Sequence, residues 1–202
     1  MKTDDMQDMA VAVKTENLTG SRYRIGTWVG LASIVMLFTS LSSAFIVRSA
    51  SPFDWLPLAA PRVLFGSTAL ILLSSVSLEF ARRKLKRSFH DAYARYLLLT
   101  MLLGLAFLTS QLIAWRQLRQ QGIYLATHPF SSFFYLLTGA HAIHLFGGLL
   151  GLGFLWQRSR RQQSDEPDFV ARRQASADAV AIYWHFMDGL WIYLFLLLFL
   201  WR

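Results

Sequence analysis

The chain has 202 residues, of which 54% are hydrophobic, 15% aromatic and only 16% charged, and its mean hydropathy is +0.37. Soluble domains carry about 25% charged residues, so one ordinary water-soluble core of this size is excluded. Lys and Arg outnumber Asp and Glu to give a net charge of +8, and the absence of cysteine removes disulfides, thiolate catalysis, iron–sulfur clusters and Cys-based zinc sites.

Residues 1–24 are polar, rich in Asp, Lys and Thr, and are expected to form a flexible cytoplasmic tail. The first apolar run begins too late for a cleaved signal peptide. A bilayer core about 30 Å thick needs roughly 20 mostly apolar residues per helix. Runs that satisfy this are Ile25–Val47, Val63–Ala81 with Glu79 inside it, Tyr96–Trp115, Pro129–Gln157, and Ala179–Trp201 with Asp188 inside it. The chain is therefore expected to be all-α, a polytopic five-span bundle occupying residues 25–202. Pro52, Pro57 and Pro61 break the first connector, Ala81–Arg87 reads as a basic run, and Gln157–Ala177 as a polar loop. No internal repeat is visible.

Alternate connectors differ in charge. The tail, the second connector and the fourth hold fifteen Lys and Arg, whereas the opposite side holds five. The positive-inside rule then puts the N-terminus in the cytoplasm and the C-terminus outside. Topology and anionic headgroups account for the basic clusters, and no nucleic-acid partner is expected.

Ionisable residues inside spans are costly and need a reason. Glu79 lies a turn from the end of its span, three and four residues before Arg82 and Arg83, and can pair there. In the fourth span His141 and His144 share a helical face, beside a stripe of small residues (Ala140, Gly147, Gly151) that lets another helix approach. In the fifth, His185 and Asp188 are one turn apart, so the carboxylate can orient or charge the imidazole. A lipid-facing ionised Asp at that depth costs about 3 kcal/mol on insertion scales, so Asp188 must face the bundle, a partner subunit or a lipid headgroup. Spacing alone leaves three roles open for these residues: interhelical packing, proton or ion conduction, and haem ligation by a pair such as His144 and His185. Phosphate-binding glycine loops and serine nucleophile elbows are missing. A transporter is disfavoured by the lack of repeat symmetry and of a helix broken at mid-span.

At these residues the sequence resembles subunit III of the haem–copper respiratory oxidases. The strongest matches are Phe133–His141 with His144, and Tyr183-Trp184-His185-Phe186-Met187-Asp188 followed by Trp191. Gly26-Thr27-Trp28, Glu79, and Gln111 with Trp115 match more weakly. The resemblance runs from about Ile25 to Trp201, in the five-span form found in bacteria. Two positions depart from the family pattern: Ile34 follows Ser33 where an acidic residue is usual, and Ala114 precedes Trp115 where another is common.

The resemblance implies a non-catalytic subunit of a terminal oxidase in the inner (plasma) membrane, serving oxygen reduction coupled to proton pumping. Such a chain carries no catalytic residue, cofactor or metal of its own; haem and copper belong to partner subunits. It packs beside subunit I and binds phospholipid. Glu79, His141, His144, Tyr183, Trp184, His185 and Asp188 are then the structural or lipid-contact candidates. The nearest alternatives are an accessory subunit of nitric oxide reductase, which shares the fold, and a stand-alone b-type cytochrome using His144 and His185.

Overall fold

Each of the five apolar runs forms a helix. The structure is a computed structural model that describes residues 3–50, 63–87, 89–125, 128–161 and 167–200, with side chains described from Ile25 onward except at 161, 167–169, 171 and 200. In chain order the helices are α1 (Thr3–Ser49), α2 (Val63–Lys86), α3 (His90–Gln120), α4 (Pro129–Arg161) and α5 (Pro167–Leu200). No strand occurs among the described residues. All five helices are long and apolar enough to cross a membrane, which makes this a multi-pass membrane protein.

Helix ends run past the apolar boundaries. The backbone of α1 is helical back to Thr3, although its membrane-length apolar part begins at Ile25; residues 3–19 are rich in helix formers and lack Pro. Arg82 to Lys86 form the last turn of α2 rather than a loop, which leaves three residues between α2 and α3. Likewise α4 continues to Arg161 and α5 starts at Pro167, so most of the stretch expected as a polar loop is helical. Charged side chains project from helix ends into headgroups and water as readily as from loops, so polarity misplaces such boundaries. The proline-rich first connector lies outside the described residues.

Local signals set the remaining ends. Pro129 and Pro167 open α4 and α5, where a missing N–H costs nothing. Gly122, at φ +78°, closes α3: its N–H donates to the Arg119 carbonyl at 3.0 Å and the Ile123 N–H to the Leu118 carbonyl at 3.1 Å. This is a Schellman closure, in which the left-handed residue avoids a Cβ clash.

Neighbours in sequence pack in turn, α2 on α3, α3 on α4, α4 on α5, and α5 returns to α2. Four helices thus close a ring, and α1 lies outside it against α4 and α5. Phe38 meets His144 edge-on, and Phe45 meets Phe130 and Phe133, which docks α1 onto α4. The centre of the ring is filled by two tryptophans of α5. Trp184 is fully buried against the Gly104 and Gly148 positions of α3 and α4, and Trp191 packs edge-on to Phe107 of α3 at 4.9 Å.

Candidate functional site

Hydroxyls of α2 hold this core together. Ser67, Thr68 and Ser74 donate to carbonyls three or four residues back in their own helix, at 2.7 to 2.9 Å. Each oxygen keeps lone pairs free to accept from a neighbouring helix. The Trp191 Nε1–H donates to Thr68 Oγ1 at 3.0 Å, the Trp184 Nε1–H to Ser74 Oγ at 3.0 Å, and the Gln111 side-chain amide to Ser67 Oγ at 3.0 Å. Thr100 of α3 donates to Ser77 Oγ at 3.1 Å. Between lipid-facing helices such bonds and close packing replace the hydrophobic drive that water would supply.

The α2–α5 contacts share one antiparallel register: Thr68 with Trp191, Ser74 with Trp184, Ser75 with His185, and Arg82 with Asp178. At the basic end of the bundle this seam closes in an ionic cluster. Glu79 accepts from Arg82 Nη1 at 3.0 Å and from Arg83 Nε at 3.2 Å, as its spacing predicts. Arg82 also donates to Asp178 Oδ1 from Nη2 at 2.6 Å and from Nε at 3.0 Å. Sequence reading missed Asp178, and missed Ser67, Thr68, Ser74 and Ser75. A signal existed for the hydroxyls, since Ser67 and Ser74, and Thr68 and Ser75, are each seven residues apart on α2.

His185 and Asp188 are not hydrogen-bonded to each other. The His185 Nδ1 lies 2.5 Å from Ser75 Oγ, so α2 supplies its partner. Asp188, only 4% exposed, has neither carboxyl oxygen in a hydrogen bond. His141, on the inner face of α4, is buried between Phe107 and Trp191 with both ring nitrogens unpartnered. His144 faces the other way: it lies against Phe38 of α1, with Nδ1 2.7 Å from the Ala140 carbonyl. The two histidines are sequence neighbours on α4 but serve different seams.

The closest approach to α4 is at Gly148, beside the small-residue stripe read from the sequence. Tyr183 and Trp184 approach Gly148, where a Cβ would stand 3.1 to 3.3 Å from their rings, and the Tyr183 hydroxyl donates to the His144 carbonyl at 2.7 Å. Further out, Gly147, Gly148 and Gly151 of α4, with Gly26 and Gly30 of α1 and Val180 and Tyr183 of α5, line a groove of about 580 Å³. Its floor is almost wholly apolar or small.

The family model for cytochrome c oxidase subunit III matches residues 13–202. The chain belongs to the cytochrome c oxidase subunit III family. A cytochrome c oxidase subunit 3 of Thermostichus vulcanus is 30% identical over 202 residues, covering 98% of this chain and 96% of that protein. A probable cytochrome c oxidase subunit 3 of Mycobacterium tuberculosis (strain ATCC 25618 / H37Rv) is 30% identical over 175 residues, covering 85% and 84%. The quinol oxidase subunit 3 of Bacillus subtilis (strain 168) is 27% identical over 184 residues, covering 88% and 86%.

A haem–copper oxidase subunit III therefore explains the five apolar helices. Both departures from the family pattern fall on buried positions: Ile34 on α1 and Ala114 on α3 pack into the core as apolar side chains. A bis-histidine haem does not fit this subunit III, because His144 faces α1 and His185 faces α2. Among the described residues, no group of three or more His, Asp or Glu side chains is placed to hold a metal.

Proposed function

We propose that this chain is the non-catalytic subunit III of an oxygen-reducing, proton-pumping terminal oxidase, stabilising the subunit that holds haem and copper and binding phospholipid at its surface. The family match along almost the whole chain carries this reading. The basic end of the bundle faces the cytoplasm, with the N-terminus, and the other end faces outward across a bacterial plasma membrane. Glu79, His185, Asp188, Trp184 and His141 act as contacts between helices, and the groove beside Tyr183 and His144 takes lipid acyl chain.

Affinity purification through this chain tests the complex. A haem-containing oxidase should come down with it, and the chain freed of partners should be colourless. Haem retained in stoichiometric amount by the isolated chain would overturn the reading.

Lipid binding has a separate test. Gly147→Leu and Gly30→Leu put branched side chains into the groove from α4 and α1. Phospholipid that co-purifies with the complex, counted by mass spectrometry, should fall in both variants and stay unchanged in Gly66→Leu, where nothing lies within 4 Å. Unchanged lipid in the groove variants would place the acyl chain elsewhere.

A further inference from the structure

Arg173 of α5 is a buried cation without a counter-ion. It is 6% exposed, and among the described residues no carboxylate lies within ion-pair distance of it. Its contacts are with α3. Nη1 lies 3.1 Å from His90 Nδ1, and the guanidinium carbon stands 5.2 Å from the centre of the Tyr93 ring. A guanidinium can only donate, so His90 Nδ1 accepts and the imidazole keeps its proton on Nε2. Two buried donors are left over: Arg173 Nη2 and the Tyr93 hydroxyl have no hydrogen-bond partner. Leaving a buried donor unmet is costly, more so for a charged one, and native proteins rarely do it.

The same place is the start of a helix. His90 is the first residue of α3, and Phe89 before it brings no side-chain cap. The first-turn N–H groups therefore lack a capping acceptor, and the helix dipole adds partial positive charge. Lys84, 5.4 Å from the centre of the Phe89 ring, adds a full one. Among the described side chains of this end, the acidic groups are taken or turned away: Arg82 holds Glu79 and Asp178, and Asp91 is exposed.

We propose that Arg173, Tyr93 and the uncapped start of α3, with His90, form a binding site for a phosphate group. The spare donors, the unpaired charge and the helix dipole all call for one thing, an anion with several acceptor oxygens. A phosphate group supplies them: Arg173 Nη2 and the Tyr93 hydroxyl donate to its oxygens, and so do the first-turn N–H groups. A carboxylate offers only two oxygens to the same donors. The phosphate belongs either to a soluble phosphate compound or to a phospholipid headgroup, and the site lies at helix ends where both are within reach. None of its residues lines the α1–α4–α5 groove, so the two sites are separate. The site rests on the contacts of Arg173 and stands whether or not the oxidase reading holds.

The lipid-stripped complex in detergent tests the site in two arms. Equilibrium dialysis against radiolabelled inorganic phosphate reads the soluble source. Native mass spectrometry after titration with phosphatidylglycerol reads the headgroup, with diacylglycerol as the phosphate-free control. Arg173→Gln keeps a donor but removes the charge, and Tyr93→Phe removes only the hydroxyl. Each should weaken binding by about tenfold, the usual value of a hydrogen bond to a charged group. Arg172→Gln makes the same charge change at an exposed neighbour and should leave binding as it is. Binding of inorganic phosphate that follows this pattern assigns the site to a soluble compound. The same pattern with phosphatidylglycerol alone assigns it to a headgroup. If Arg173→Gln does not assemble, Tyr93→Phe decides. Binding in neither arm would overturn the site, as would equal affinity in Tyr93→Phe and the unaltered complex. So would an equal loss in Arg172→Gln and Arg173→Gln, since net charge alone would then account for binding.

Discussion

Trp184 touches every wall of the ring, and its neighbours are small for that reason. A Cβ at Gly104 would stand 2.8 Å from Trp184 Cη2 and 3.0 Å from Leu149 Cδ2, closer than side chains tolerate. The Leu149 methyl ends a flexible side chain and can give, but Trp184 is pinned by its bond to Ser74. Gly104→Ala should therefore destabilise the protein by about 1–3 kcal/mol, the usual cost of overpacking. Gly66 on α2 has nothing within 4 Å, so Gly66→Ala should be neutral or slightly stabilising through helix propensity. Thermal unfolding of both variants in detergent checks the contrast. Equal melting temperatures would mean that the indole moves aside at no cost.

Between helices, polar contacts about two turns apart, at Thr68, at Ser74 and Ser75, and at Arg82, set the register of α2 on α5. The tryptophan–hydroxyl bonds in the interior are neutral and shielded, whereas the Arg82–Asp178 pair at the end is partly exposed, with side-chain exposures of 25% and 45%. Exposed ion pairs contribute about 0.2–1 kcal/mol, and salt weakens them. A double-mutant cycle of Arg82→Gln and Asp178→Asn should give a coupling in that range at low salt and a smaller one at high salt. The network with Glu79 favours the upper half, because Arg82 holds both carboxylates at once. A coupling that does not change with salt would mean that the pair is better shielded than its exposure indicates.

For the molecule as a whole, lopsided charge and ring closure give complementary information. The ring fixes which helix ends lie together: the end of α2 and the start of α3 share one side, and the turn at Gly122 lies on the other. The orientation proposed from the charge bias makes the α2–α3 side cytoplasmic. Cysteines placed at Lys84 and Gln121 should label from opposite faces of intact cells, with Gln121→Cys the one reached from outside. The chain has no cysteine of its own, so it contributes no background. Labelling of both positions from outside would refute the bundle as described.

Length, hydropathy and charge determine the five helices and the membrane setting, because a span must satisfy its backbone internally and present apolar atoms to lipid whatever its neighbours are. The ion pairs of Glu79 with Arg82 and Arg83 were legible for a related reason: residues three and four apart meet on any helix. The small-residue stripe on α4 was legible, but the closest approach falls on Gly148, beside it. What approaches it was not, because Trp184 and Tyr183 come from another helix. His185 and Asp188 show the limit most clearly. One turn apart in sequence, they suggest a pair, yet Ser75 of α2 takes the imidazole and leaves the carboxyl unbonded. Likewise His141 and His144 lie on one face by spacing, yet one fills the ring and the other faces α1. Sequence periodicity fixes contacts within a helix. Contacts between helices depend on how the helices are rotated and shifted against one another, and that is settled only when all five pack together.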